Sequence, residues 1–238
     1  DGYTFLYDAT SFAVNPSLFP KLGFSYAKDF APIGMVARIP TLLVVPANSP
    51  DKTVADLVQR ARSKPGQVTY ASAGNGGAAH LSGELFANGF KLSLVHVPYK
   101  GGAPALTDLA GGQVEMMFSA VTASGPLVKA GKLRALATAF DRRIESMPQV
   151  PTVAESGLPG FSAYEWNAIW APAATPPDVV KRVEAELREA LKSPAVQQRL
   201  AELGALPAGG GAKELAEFVN AETAKWAGVV KSSNIKLD

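Results

Sequence analysis

The run Ser72-Ala73-Gly74-Asn75-Gly76-Gly77, followed by Ala78, Ala79 and His80, holds the residue types and spacing in this chain that best suit ligand chemistry. It lies between a β-favouring run at Val68 and Tyr70 and a helical pattern from Ala78 to Asn88. A glycine turn in that position aims the unpaired N–H groups of the helix's first turn at whatever stands before the end of the strand, which makes an anion site. Gly74 to Ala79 also satisfies the G-x-G-x-x-G/A dinucleotide pattern. Roughly 20 residues beyond the turn, where that pattern calls for a ribose-binding acid, stand Pro98, Tyr99 and Lys100. No Gly-Lys-Ser/Thr of a phosphate loop is present either, so a small anion such as a carboxylate is the simpler guest. The same glycines could equally serve only a tight strand-to-helix connection.

Other candidates sit at predicted strand ends, where open α/β sheets bind ligands. Thr10 and Ser11 follow a strand predicted over Tyr3 to Tyr7, and their hydroxyls suit either a ligand or ordinary capping. Tyr99 could donate its hydroxyl, and Lys100 could attract an anion or be a solvated charge. Ser119, Thr122 and Ser124 make a hydroxyl-rich turn after the predicted strand Val114 to Phe118. Trp166 and Asn167 are cleft candidates, whereas Trp170 reads as core. Of the two histidines, His80 falls in the first turn of the anion-site helix and His96 inside an apolar strand, where a packing role fits better. Their spacing makes no metal site, and without a G-x-S-x-G elbow Ser72 and His80 are a weak hydrolase signal. Catalysis is poorly supported and a binding module fits better.

The elements that must position these residues alternate from Val68 to Ala139 as strand, helix, strand, helix, strand, helix, strand, which is a doubly wound α/β pattern with a mostly parallel sheet. Before it, Ile33 to Ala47 reads as two strands joined at Pro40, and Thr53 caps a helix carrying Val54, Leu57, Val58 and Ala61. The segment from Asp8 to Pro16 reads as a polar loop, and Leu18 to Phe30 as irregular. After the alternation come a short helix over Val150 to Ser156 and a strand over Ser162 to Ala171. Thr175-Pro176-Pro177-Asp178 approximates a capping box before three helices, the last striped by Leu215, Phe218, Val219, Trp226 and Val230.

Composition narrows the classes. The 238 residues are 47% apolar and 18% charged with a net charge of +2, which is globular, and no cluster of five or more Lys/Arg points to nucleic acid. The absence of cysteine excludes disulfides, thiolate metal sites and a cysteine nucleophile while leaving the compartment open. No run reaches the roughly 18 to 20 apolar residues of a membrane span. The chain starts abruptly at Asp1-Gly2-Tyr3 with no signal sequence, as if cut from something longer.

Several motifs in order carry a resemblance: YASAGNGGAAHLSGELF at Tyr70 to Phe86, HVPYKG at His96 to Gly101, ALTDLAGGQV at Ala105 to Val114, AGKLRALA at Ala130 to Ala137 and PTVAESG at Pro151 to Gly157. Over its whole length the chain resembles the Bug family, the extracytoplasmic solute receptors of tripartite tricarboxylate transporters. The resemblance implies an α/β, two-lobed type II periplasmic binding protein with mostly parallel doubly wound sheets. One lobe would be residues 1–40 and 166–238, the other 41–165 with the glycine turn. A small carboxylate would be held between the lobes by backbone amides and ordered water, for delivery to the transporter's membrane components. No enzyme activity, cofactor, metal, nucleic acid or direct membrane insertion is implied, and the location would be periplasmic. Carried onto this sequence, the ligand-binding set is Thr10, Ser11, Ser72, Ala73, Gly74, Asn75, Gly76, Gly77, His80, Tyr99, Ser119 and Trp166.

Two departures stand out. Ser119 occupies a place where many relatives have an acid or amide. Relatives also carry about one βαβ unit before the Asp-Gly-Tyr-Thr point, so the first lobe is expected to be truncated at its N-terminus. Two rival readings are an NADP-binding oxidoreductase domain using the G-x-G-x-x-A turn with Lys100 on the 2′-phosphate, and an interaction protein that keeps the fold without the ligand.

Overall fold

The structure, a computed structural model, describes residues 2–19 and 21–236. In chain order the first elements are β1 (Leu6–Ala9), α1 (Ser11–Leu18), β2 (Phe30–Ile39), β3 (Thr41–Pro46), α2 (Val54–Ser63), β4 (Thr69–Ser72), α3 (Ala78–Phe90), β5 (Val95–Pro98) and α4 (Gly102–Ala110). Then follow β6 (Met116–Ala120), α5 (Val121–Lys129), β7 (Leu133–Thr138), β8 (Glu165–Pro172), α6 (Pro177–Lys192), α7 (Pro194–Glu202), β9 (Leu206–Gly209) and α8 (Ala212–Ser232). The chain divides into two compact units, the described residues of 1–39 with 165–232 and those of 40–164 with 233–238. The chain's end was expected with the first of these; instead Ser233 lies in the second unit, where the Asn88 side-chain amide donates to its hydroxyl at 3.0 Å.

In the first unit a four-stranded sheet runs in the order β1-β8-β2-β9 with every ladder antiparallel. Strand β8 alternates in burial, turning Trp166, Ala168 and Trp170 into the core, as a period of two requires. Trp170 stacks on Phe12 of α1 with ring centroids 4.1 Å apart. Glu222 of α8 is buried, and its Oε2 accepts from the indole N–H groups of Trp166 at 3.3 Å and Trp226 at 2.9 Å. Lys225 donates to the other oxygen. The carboxylate is tolerated inside because both of its oxygens accept from donors, two indole N–H groups and one ammonium.

The second unit holds a five-stranded sheet in the order β5-β4-β6-β3-β7. Strands β5, β4 and β6 pair in parallel, and β3 runs antiparallel to both β6 and β7. All six residues of β3 are buried, so it reads as a continuous apolar strand covered on both faces. Helices α3, α4 and α5 each follow one of the parallel strands. Gly83 lets α3 lie close on β4: a Cβ there would come within 2.4 Å of the Tyr70 ring. Helix α2 starts with a complete capping box, in which Thr53 Oγ1 accepts from the Asp56 N–H at 3.1 Å and Asp56 accepts from Thr53 N–H at 2.9 Å.

The expected α/β class and the β2–β3 break at Pro40 are present, with differences in detail. Parallel ladders join only β5, β4 and β6 among the described strands, with an isolated parallel bridge from Thr138 to Thr152, while β3 pairs between β6 and β7 in the reverse sense. The polar loop expected from Asp8 to Pro16 is mostly helix α1: burial of Phe12, Ala13 and Val14 outweighs the bond lost at Pro16. The first strand is Leu6–Ala9, not Tyr3 to Tyr7. Val150 to Ser156 is a turn, closed by Thr152 N–H on Glu155 Oε2 at 2.7 Å and Glu155 N–H on Thr152 Oγ1 at 2.9 Å. No capping box forms at Thr175, since Pro176 is the N-cap of α6 and no side chain bonds there.

Removing the buried carboxylate would strand two indole donors. Glu222→Ala is expected to lower the unfolding free energy by about 2–5 kcal/mol, with Glu222→Gln costing less because its amide oxygen still accepts. Urea unfolding of the two variants checks this; a loss below about 1 kcal/mol for the alanine variant would show that the indoles do not depend on Glu222.

Candidate functional site

The parallel strand β4 ends at Ser72, and the chain then turns through Gly74 (φ +146°) and Gly76 (φ +71°) into α3. Both angles lie where an L side chain is strained, so glycine is required at these two points. Gly77 is the N-cap of α3, with no side-chain bond to it, and the first turn contains no acidic residue. The first backbone bond of the helix is Leu81 N–H to Gly77 O at 3.0 Å. The N–H groups of Ala78, Ala79 and His80 therefore precede the helical ladder and carry the positive end of its dipole.

Side chains secure the turn from beneath. Ser72 Oγ accepts from Gly74 N–H at 3.2 Å and donates to Gly74 O at 3.0 Å. The same hydroxyl lies 2.6 Å from His96 Nε2. Gly76 N–H donates to His80 Nδ1 at 3.0 Å. The two imidazoles stack with centroids 3.7 Å apart, and Tyr70 lies 4.9 Å from His96. Glu84 Oε1 stands 3.9 Å from His80 Nε2 and accepts from the Tyr70 hydroxyl. Burial lowers both histidine pKa values: that of His80 against the opposing charge of Glu84, and that of His96 to about 4, with His80 adding to the effect and Glu84 opposing it. Burial, then the bond to Glu84, raises the Tyr70 hydroxyl well above its ordinary value.

Beside the turn, Tyr99 N–H donates to Ser72 O at 3.0 Å and Gly101 N–H to Ala73 O at 3.1 Å. These bonds bring the start of α4, capped by Gly101 at φ +118°, next to the glycine turn. Helices α4 and α5, like α3, begin without a side-chain cap or an acid in the first turn. The carboxyl ends of β4, β5 and β6 thus each feed a helix whose positive end is left unneutralised by its own residues. Helix α2, with Asp56 in place, shows the self-neutralised alternative within the same unit.

Of the residues expected at a site, Ser72, Ala73, Gly74, Asn75, Gly76, Gly77 and His80 come together in this turn. Ser72, Gly76 and His80 are buried, while Ala73, Asn75 and Gly77 are exposed. Tyr99 adjoins the turn through its backbone, but its hydroxyl donates to Asp108 Oδ2 at 2.9 Å. Ser119 is buried at the end of β6, its hydroxyl 3.5 Å from Ala120 O. The other three belong to the first unit. Thr10 is buried at the start of α1, and the exposed Ser11 hydroxyl donates to Asp8 Oδ1 at 2.5 Å. Trp166 is fully buried with its indole on Glu222, so it packs as core instead of presenting a donor. His96, expected as a packing histidine, stacks on His80 and has its Nε2 2.6 Å from Ser72 Oγ, a contact set by its place opposite Tyr70 in the β4–β5 register.

Comparison with known proteins gives this geometry a family. Residues 1–235 match the family described as "Tripartite tricarboxylate transporter family receptor". Protein BugT of Bordetella pertussis is 35% identical over 239 residues, covering all of this chain and 73% of BugT. Across three curated relatives the chain spans between 60% and 73% of their length. Among solved structures, an R. palustris protein with adipate superposes at a TM-score of 0.87 with 36% identity, over 99% of this chain and 79% of that one. MatC from Rhodopseudomonas palustris with bound malate gives a TM-score of 0.82 with 32% identity, over 97% and 80% of the two chains. The fold is that of the two-lobed periplasmic binding proteins of this type, and the chain belongs to the tripartite tricarboxylate transporter receptor family, whose members include the Bug proteins.

Proposed function

We propose that this chain is an extracytoplasmic solute receptor that captures a small organic carboxylate and presents it to the membrane components of a tripartite tricarboxylate transporter. One carboxylate of the solute accepts from the N–H groups at the start of α3, held in front of the Gly74–Gly77 turn. The observation that carries this reading is the first turn of α3: three N–H groups ahead of the ladder, no side-chain cap and no acid of its own. Relatives seen with adipate and malate support a dicarboxylate as the solute class. Ser119 and the exposed Lys100, which also belong to the second unit, are the candidates for contact with or attraction of the rest of the molecule. The reaction asked of the protein is reversible binding, which needs no titrating nucleophile, and it is carried out in the periplasm. Among the described residues no helix is long and apolar enough to cross a membrane, in keeping with a receptor that hands its solute to separate membrane subunits.

A thermal-shift panel of mono-, di- and tricarboxylates, amino acids and NADPH, followed by calorimetry, tests this. A dicarboxylate present at about 100 times its dissociation constant should stabilise the protein by about 2.7 kcal/mol through mass action. Gly76→Pro removes one turn N–H and cannot adopt the φ of +71° found there, so it is expected to abolish that shift. A shift with NADPH alone, or an undiminished carboxylate shift in the Gly76→Pro protein, would overturn the reading.

A further inference from the structure

Helices α2 and α3 solve the same problem with different chemistry at the same position. In α2 the third helical residue, Asp56, reaches back and accepts from the N–H of Lys52, the residue before the N-cap, at 3.0 Å. In α3 the third helical residue is His80, and it accepts from the N–H of Gly76, again the residue before the N-cap, at 3.0 Å. Both side chains satisfy an orphan backbone donor and fix the path of the chain into the helix. The difference is charge. Asp56 brings a carboxylate to the positive end of its helix, whereas a neutral imidazole satisfies Gly76 N–H and leaves the positive end of α3 unoccupied.

We propose that His80 is a positioning residue, an uncharged cap that fixes the anion turn without competing with the anion, and that His96 secures the other end of the same turn through Ser72. This rests on the receptor reading only for the identity of the anion; the capping role concerns the ligand-free turn itself.

The hydrogen-bond inventory defines the tautomers. His80 Nδ1 accepts from a backbone N–H, so the ring proton sits on Nε2, facing Glu84 Oε1. Ser72 Oγ has one proton and already donates to Gly74 O while accepting from Gly74 N–H. Its remaining lone pair matches a proton on His96 Nε2, and only that tautomer satisfies all three contacts of the hydroxyl. The ionisable groups facing the pair are Glu84 from α3, Tyr70 from β4 and the two rings on each other. Asp108 is engaged with Tyr99, and Lys100 is exposed. Burial and stacking favour the neutral pair. A proton on His80 Nδ1 would turn the acceptor beneath Gly76 into a donor and release that N–H.

The sign of the pH effect follows. Both rings have native pKa values below the ordinary 6.5, so the unfolded chain takes up protons first as the pH falls. Stability is complete above about 6.5 and falls as the pH drops from there toward the His96 value of about 4. The urea midpoint should fall over that window, and His80→Asn together with His96→Gln should flatten the histidine part of the slope.

The direct test combines ring nitrogen NMR of the ligand-free protein with calorimetry of adipate and malate. Both rings should show the Nε2–H tautomer near neutral pH, and the Gly76 amide resonance should move with the titration of His80. His80→Asn retains an acceptor at the Nδ1 position and should lose affinity only about fivefold, whereas His80→Leu, which strands the Gly76 donor, should lose roughly tenfold or more. His80→Asp should stay folded, since it restores the α2 arrangement, yet bind on the order of a hundredfold more weakly because its carboxylate stands against that of the ligand. A packing role alone would make leucine the mildest of the three. An Nδ1–H tautomer at His80, a Gly76 amide indifferent to its titration, or a His80→Asp protein that binds as tightly as the wild type would each overturn the proposal. If the wild type bound neither adipate nor malate, the choice of those solutes would fail, and the tautomer and Gly76 readouts would still decide the capping role.

Discussion

Backbone N–H groups with no partner in their own helix are the constraint around which the second unit is built. A buried amide without an acceptor costs free energy comparable to a lost hydrogen bond, so every helix start has to be completed by a side chain, by solvent or by a ligand. At α2 the completion is internal, through Thr53 and Asp56. At α3 it is only partial. His80 takes Gly76 N–H and Ser72 takes Gly74 N–H, and the three N–H groups of the first helical turn are left to something outside the chain. The parallel strands make this possible, because β4, β5 and β6 end along one edge of the sheet and each delivers a helix there without a cap or an acid of its own.

The first unit meets its polar requirements in the opposite manner. Glu222 is a buried carboxyl group whose oxygens accept from Trp166, Trp226 and Lys225. Around it, Phe12, Trp170 and Trp166 fill the sheet face with rings at stacked and tilted contacts. Such a network ties the sheet to α8 and favours one packing, while the buried Thr10 hydroxyl in the same unit has no hydrogen-bond partner among the described residues. In the second unit the glycine turn is rigid for a different reason: its angles at Gly74 and Gly76 and its bonds to Ser72 and His80 define the backbone, while its outer face remains unbonded.

These differences explain what could be read from the residues. The glycine turn was legible because its glycines mark angles that other residues avoid, and because the strand before it and the helix after it have distinct periods. Helix α1 was hidden by Pro16, a strong local breaker overruled by the burial of Phe12, Ala13 and Val14. Strand β9, with the sequence Leu206-Pro207-Ala208-Gly209, has no local strand signal and exists through its pairing with β2. The reversed direction of β3 leaves no mark in its own composition, since a fully buried strand is apolar in either direction. Trp166 resembles a binding residue until its partner is known, and that partner is 56 residues away in sequence. His96 sits in an apolar alternation that suggests packing, and its bond to Ser72 comes from the register of two parallel strands.

An anchor made of backbone amides, as proposed for this chain, would let one scaffold hold different acids. On the proposed reading the donors at α3 would recognise a carboxylate and nothing beyond it, and most side-chain substitutions leave them in place, the exceptions being those that alter the angles at Gly74 and Gly76 or add a charge to the first turn. The grip on the shared functional group is therefore separated from the residues that read the remainder of a solute. Ser119, buried at the end of β6, and the start of α4 beside Gly101, after β5, stand on the two strands that flank β4, where a change of side chain alters shape and polarity without disturbing the turn. Using an imidazole in place of a carboxylate beneath Gly76 preserves that separation, because the cap completes the turn while contributing no negative charge to the place where every candidate solute must bring its own.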